Sequence, residues 1–295
     1  GLSTAQVRAL DTAQVQALST SNIEALESTQ VRALSSTQAG ALTTEQVQAI
    51  ETADLRAMTS TAVAALGTSA VVALTTDQAA ALTTGQVAAM TTAQVAAIAT
   101  DDLESLTTAQ VAALLTQQVQ ALQTDQVQAL TSDQVAGLST RQVSALTTAQ
   151  VAVVETTDAA ALTTRQAAAL NSAQVAALTT DQVQALETSD LRAIRSTAIS
   201  ALTTAGVDAL TTEQASALST AQVAALTTAQ VQAVATDDLD ALTTAQVRAL
   251  TTGQVGALTT GQVEALNTDQ VASLSTRQVA ALHTDQVRAQ ETNDV

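Results

Sequence analysis

No cysteine, proline, lysine, phenylalanine, tyrosine or tryptophan occurs anywhere in the 295 residues. Without cysteine there are no disulfides and no thiol chemistry. Without aromatic rings, which bury the most area per side chain, any core is built from small aliphatic groups in regular layers. Leu, Val, Ile, Ala and two Met make up the apolar 46 %. Cations are also scarce, with ten Arg against 27 acids and a net charge of −17. Nucleic-acid binding depends on neutralising phosphates with Lys and Arg, so this balance points away from DNA, RNA and anionic membrane surfaces. No apolar run approaches the roughly 20 residues that span a bilayer, so no membrane insertion is expected.

What is present is one unit repeated. Leu2, Leu10, Leu18, Leu26 and Leu34 are eight apart, and the register holds to Val295. Numbering the octad from its Leu, position 1 is Leu or another aliphatic residue, with Gln290 the one polar exception. Position 3 is Ser or Thr in all 37 copies, from Thr4 to Thr292, and position 5 is Gln in 26 of them. Position 6 is Val, Leu, Ile or Ala, and position 8 is nearly always Ala. Positions 2, 4 and 7 vary.

Three conformations compete for this period. In one long α-helix, eight residues at about 100° each overshoot two turns by about 80°. The Leu stripe would wind around the helix, whereas supercoils need repeats of seven or eleven. In a β-solenoid, positions 1 and 6 would face opposite sides, and the Ala and Gln content favours helix. The charges support the third reading, one very short helix per octad. Of 27 acids, 22 lie at positions 2, 4 or 5, and six of ten Arg lie at position 7. Acids early and cations late is what a helix dipole favours.

The constant Ser/Thr at position 3 is then expected to be the N-cap, with helix over positions 4 to 8. The rival register puts the cap at position 2, as a capping box such as Ser3-x-x-Gln6. Glu27, Glu51, Leu115, Gln123 and Arg195 at position 2 are poor caps and favour the first register. Helices this short fall well below the roughly 12–15 residues that are marginal in water. Neighbouring octads must therefore share a core, as in a solenoid. The expected fold is an all-α solenoid of very short helices, one per eight-residue repeat, and the Gln column is a candidate hydrogen-bonded ladder between coils.

A longer repeat overlies the octad. Glu51–Met58 returns as Glu187–Ile194, and Ala99–Leu106 as Ala235–Leu242, each 136 residues or 17 octads later. Asn22 and Asp158 fit this offset, as do Ala62 and Ala198 in place of the Gln. No linker interrupts the pattern, so residues 1–295 read as a single repeat array. Neither end carries a polar capping repeat, which suggests an excerpt of a longer array whose open ends self-associate.

Few residues invite chemistry. Asp101–Asp102 and Asp237–Asp238 are the nearest approach to a metal site, but Ca²⁺ wants six to eight oxygens and usually a Gly turn. Adjacent carboxylates at a helix start are more simply dipole partners. His283, the only His, sits at variable position 2 with no nucleophile context and reads as a surface residue. No catalytic, cofactor-binding or metal residues are assigned, no cofactor is expected, and the chain is not expected to be an enzyme. The Thr columns invite an ice-binding reading, although position 2 interrupts the row.

The run Leu242-Thr-Thr-Ala-Gln-Val-Arg-Ala-Leu250 resembles the first helix of the TAL-effector DNA-binding repeat. That likeness ends with this run, the base-reading loop is absent and the acidic charge opposes it. Over its whole length the chain resembles the Thr/Ala/Gln-rich short-repeat tracts of large secreted bacterial adhesin-like surface proteins. This resemblance implies a rod or stalk at the cell surface or outside the cell. A self-assembling filament subunit, or an ice- or glycan-binding module, is the alternative, and no ligand is implied.

Overall fold

The computed structural model describes residues 2–291, apart from the side chains of Gln290 and Glu291. Position-3 Thr292, the departure of the Gln290 side chain and the end of the register at Val295 lie outside the described residues. Thirty-six helices, one per octad, run from Thr4–Ala9 to Thr284–Glu291, and there is no strand among the described residues. The chain separates into two compact units, Gly1–Leu146 and Thr147–Val295. Each unit is a solenoid of these short helices.

The cap register corrects the sequence expectation. Helices begin at position 3 and the N-cap is position 2, with Ser3 extended at φ −75°, ψ 161° and Thr4 already helical. The Ser3 hydroxyl accepts the Gln6 N–H at 3.3 Å, while the Gln6 side-chain oxygen accepts the Ser3 N–H at 2.7 Å. This is the reciprocal capping box. Where position 2 is Glu27, Leu115 or Gln123, the side-chain cap bond is missing. The Gln half survives, with the Leu115 N–H donating to Gln118 Oε1 at 2.6 Å and the Gln123 N–H to Gln126 Oε1 at 2.8 Å. The poor caps at position 2 were therefore misleading: Glu27, Leu115 and Gln123 keep the Gln half of the box, and Glu51 and Arg195, before Asp54 and Ala198, are N-caps with neither half.

Position 3 is the first helical residue, and none of its Ser or Thr side chains from Thr4 to Thr284 is buried. Each helix closes with a tight i→i−3 bond, as in Leu10 N–H to the Val7 carbonyl at 3.3 Å. Position 1 is then extended, at φ −65°, ψ 134° for Leu10. Two successive extended residues, positions 1 and 2, make each corner, and no described residue has a positive φ. The corners therefore need neither glycine nor proline.

Inside each unit, positions 1 and 6 supply the core. Val47, Leu55, Val87 and Leu103 in the first unit, and Val175, Leu191, Val207 and Val247 in the second, are completely buried. Within a unit, helices pack on the helix three octads further along, as Thr76–Ala81 does on Thr100–Ser105. The apolar face thus closes on the previous and following turns, and burial of these aliphatic groups is the main driving force for folding.

Candidate functional site: the buried glutamine ladder

The side chain that ties one turn to the next is the position-5 glutamine. Gln94 is 2 % exposed. Its oxygen accepts the Thr91 N–H at 2.8 Å within its own octad. Its amide nitrogen donates to the Val63 carbonyl at 2.9 Å and the Leu66 carbonyl at 2.8 Å, 31 and 28 residues earlier. An amide has two donor hydrogens and an acceptor oxygen, and all are used. The same pair of acceptors, a position-6 and a position-1 carbonyl, recurs for Gln38, Gln46, Gln78 and Gln86. In the second unit it recurs for Gln182, Gln214, Gln222 and Gln254. The ladder expected from the Gln column is present.

The spacing also sets the turn. The two bonds of one amide reach back 31 and 28 residues and helices pack three octads apart, so a turn takes between three and four octads. One amide thus reaches a helix-end carbonyl and the following corner carbonyl, and the corner carbonyl would otherwise be left without a donor. A buried amide is costly unless satisfied, and no described buried side-chain nitrogen or oxygen lacks a partner.

Aspartate replaces glutamine in several octads and is buried there too, with Asp54 7 %, Asp102 5 %, Asp190 3 % and Asp238 4 % exposed. The shorter carboxylate turns to the position-3 hydroxyl of the preceding turn, as Ser28 Oγ donates to Asp54 at 2.5 Å, 26 residues away. Thr76 and Thr212 stand in the same relation to Asp102 and Asp238 and pull their carboxyls down. Burial outweighs this and pushes both above the ordinary carboxylate value. Asp101 adds to the rise at Asp102, and Asp237, Asp208 and Glu213 add to it at Asp238.

The sequence pairs are thus split. Asp101 and Asp237 are exposed while Asp102 and Asp238 are buried, so adjacent carboxylates do not converge. Among the described residues no group of three or more His, Cys, Asp or Glu is placed to hold a metal ion. His283 is exposed, and its backbone N–H donates to Gln286 Oε1 at 2.6 Å as the amide half of a box. Solvent-facing Glu45 is held below its ordinary value by its own N–H and the Thr43 and Thr44 hydroxyls. No helix among the described residues is long and apolar enough to cross a membrane. The serine that donates to Asp54 was missed from the sequence, because pairing residues 26 apart requires the turn length.

A family model described as the ALTTAQ repeat matches residues 1–28, 23–49, 47–84, 95–132, 151–188, 183–220, 231–268 and 261–292. No curated protein matches the chain.

Proposed function

The chain belongs to the ALTTAQ-repeat family, and from that membership and its geometry we propose that it is a structural repeat region of a bacterial surface or extracellular protein, extended as a rod or stalk. One observation carries this reading. The repeated polar side chain, Gln, is buried and spent on the neighbouring turn, as at Gln94 and Gln254, rather than directed into a cleft. A unit built this way gains length by adding octads, each stabilised by its neighbours. The acidic surface keeps such segments soluble and apart. Electron microscopy of the purified chain, with antibody labelling of intact cells that express it, tests the proposal. Particles lengthening in proportion to octad number, with label at the cell surface, are expected. A compact particle, or label only after lysis, would overturn it.

A filament subunit is the alternative. It draws on the groove that Leu2, Leu18, Ala25 and Leu26 line beside Gln30, and growth of light scattering with concentration would favour it. An ice or glycan binder would use the unburied hydroxyls of position 3. Three to four octads per turn distribute those hydroxyls around the unit instead of on one plane, and thermal hysteresis is the deciding measurement.

A further inference from the structure

Each unit has one run of three missing rungs in its ladder. Position 5 is Asp54, Ala62 and Ala70 in three successive octads, and again Asp190, Ala198 and Gly206. The other buried aspartates, such as Asp102 and Asp238, stand singly between glutamine octads. Because a turn takes three to four octads, three successive losses strip the amide donors from most of a turn-to-turn interface. In the first unit the corner carbonyls of Leu10 and Leu18, before the gap, receive Gln38 and Gln46. Those of Ile50, Met58 and Leu66, after it, receive Gln78, Gln86 and Gln94. At 28 residues before Asp54, Ala62 and Ala70 stand Leu26, Leu34 and Leu42, where no glutamine arrives.

What remains across this interface is mostly apolar. Leu55 is fully buried and Met58 is 4 % exposed, and in the second unit so are Leu191 and Ile199, with Ile194 at 2 %. Polar contacts are few: Ser28 to Asp54 in the first unit, and in the second Ser172 Oγ to the Thr197 carbonyl at 3.1 Å and Arg195 to the Leu170 carbonyl at 3.5 Å. Apolar contact is non-directional. Parting an amide-bridged turn breaks two bonds per glutamine at fixed geometry, whereas parting this one breaks none of them and lets the corner carbonyls hydrate.

We propose that each unit contains one compliant turn, at residues 50–73 and 186–209, where neighbouring turns part first while the amide-bridged turns on either side stay closed. Local opening of repeat proteins follows nearest-neighbour interface strength, and here that strength is lowered over a contiguous turn.

Native-state hydrogen exchange on the full chain tests this. Helical amides of residues 54–73 and 190–209 are expected to exchange at least about tenfold faster than those of 78–97 and 214–233. The triple variant Asp54→Gln/Ala62→Gln/Ala70→Gln should slow the first segment to the rate of its neighbours and leave residues 190–209 fast. The reverse variant, Gln78→Ala/Gln86→Ala/Gln94→Ala, only removes atoms and should create a new fast segment at 78–97. Uniform exchange in the unaltered chain, or a reverse variant whose 78–97 amides stay slow, would overturn the proposal.

Discussion

The Ser28 hydroxyl donates to the buried carboxylate of Asp54 at 2.5 Å, 26 residues further along the chain. At Asp102, the same step beyond Thr76, burial raises the carboxyl above its ordinary value, with Asp101 adding to the rise and Thr76 opposing it. Thr212 and Asp238 repeat the relationship in the second unit.

A carboxyl whose folded pKa is raised binds protons more readily in the folded chain than in the unfolded one. Stability therefore rises as pH falls from above the folded value toward the unfolded value of about 3.9, and gains nothing more from these groups below it. Urea midpoints should increase between pH 7 and pH 4. The variant Asp102→Asn/Asp238→Asn, neutral at every pH, should be more stable than the parent at pH 7 and show a shallower rise. A parallel pH profile in parent and variant would mean that these carboxyls are not linked to folding.

The cap register predicts an asymmetry between neighbouring threonines. Thr147 accepts the Gln150 N–H at 3.2 Å, and Thr148 is the first helical residue with its side chain exposed. Thr147→Ala should cost about 1 kcal/mol, within the usual cap range of roughly 0.5–2. Thr148→Ala should cost less than about 0.5 kcal/mol, as expected for a surface change. Exchange of the Gln150 amide reads the difference, and equal effects would contradict the observed cap.

Helix, octad and ladder were legible because each is a local consequence of the eight-residue pattern. Acid and Arg placement reports the helix direction, and a polar column among apolar ones must be satisfied inside. The cap was misassigned because constancy was taken for capping. Position 2 varies, through Leu115 and Arg195, because Gln118 can hold the corner alone and a gap at Ala198 already lacks the box. Position 3 is constant, yet its hydroxyl is used across turns where aspartate stands opposite, as Ser28 is by Asp54. The turn of three to four octads was not legible. It follows from how two extended corner residues orient successive helices, a sum of small angles that no residue type announces.

Packing around Ala79 is close to complete. A cavity of about 10 Å³ lies beside it among Val71, Leu74, Leu82, Val87 and Met90, barely the room of one water molecule. Ala79→Leu should overpack this layer and lower stability by about 1–3 kcal/mol. A urea midpoint unchanged from the parent would show that the layer yields freely.

The ladder makes its sharpest prediction at Gln94, where size and charge can be separated. Gln94→Glu keeps the length and can still accept the Thr91 N–H, but its carboxylate faces the Val63 and Leu66 carbonyls that the amide now feeds. Acceptor would meet acceptor in a buried site, so at pH 7 the loss should be about 2–4 kcal/mol. Gln94→Ala removes the same donors without adding a charge, and its loss should be smaller, about 1–3 kcal/mol. Burial raises the pKa of the new carboxyl. As pH falls through that raised value the acid gains a proton, can donate one bond, and recovers stability that the alanine variant cannot. The order of the two variants should therefore reverse between pH 7 and pH 4 in urea titrations. If Glu and Ala lose the same amount at both pH values, the amide nitrogen of Gln94 does not hold the two turns together.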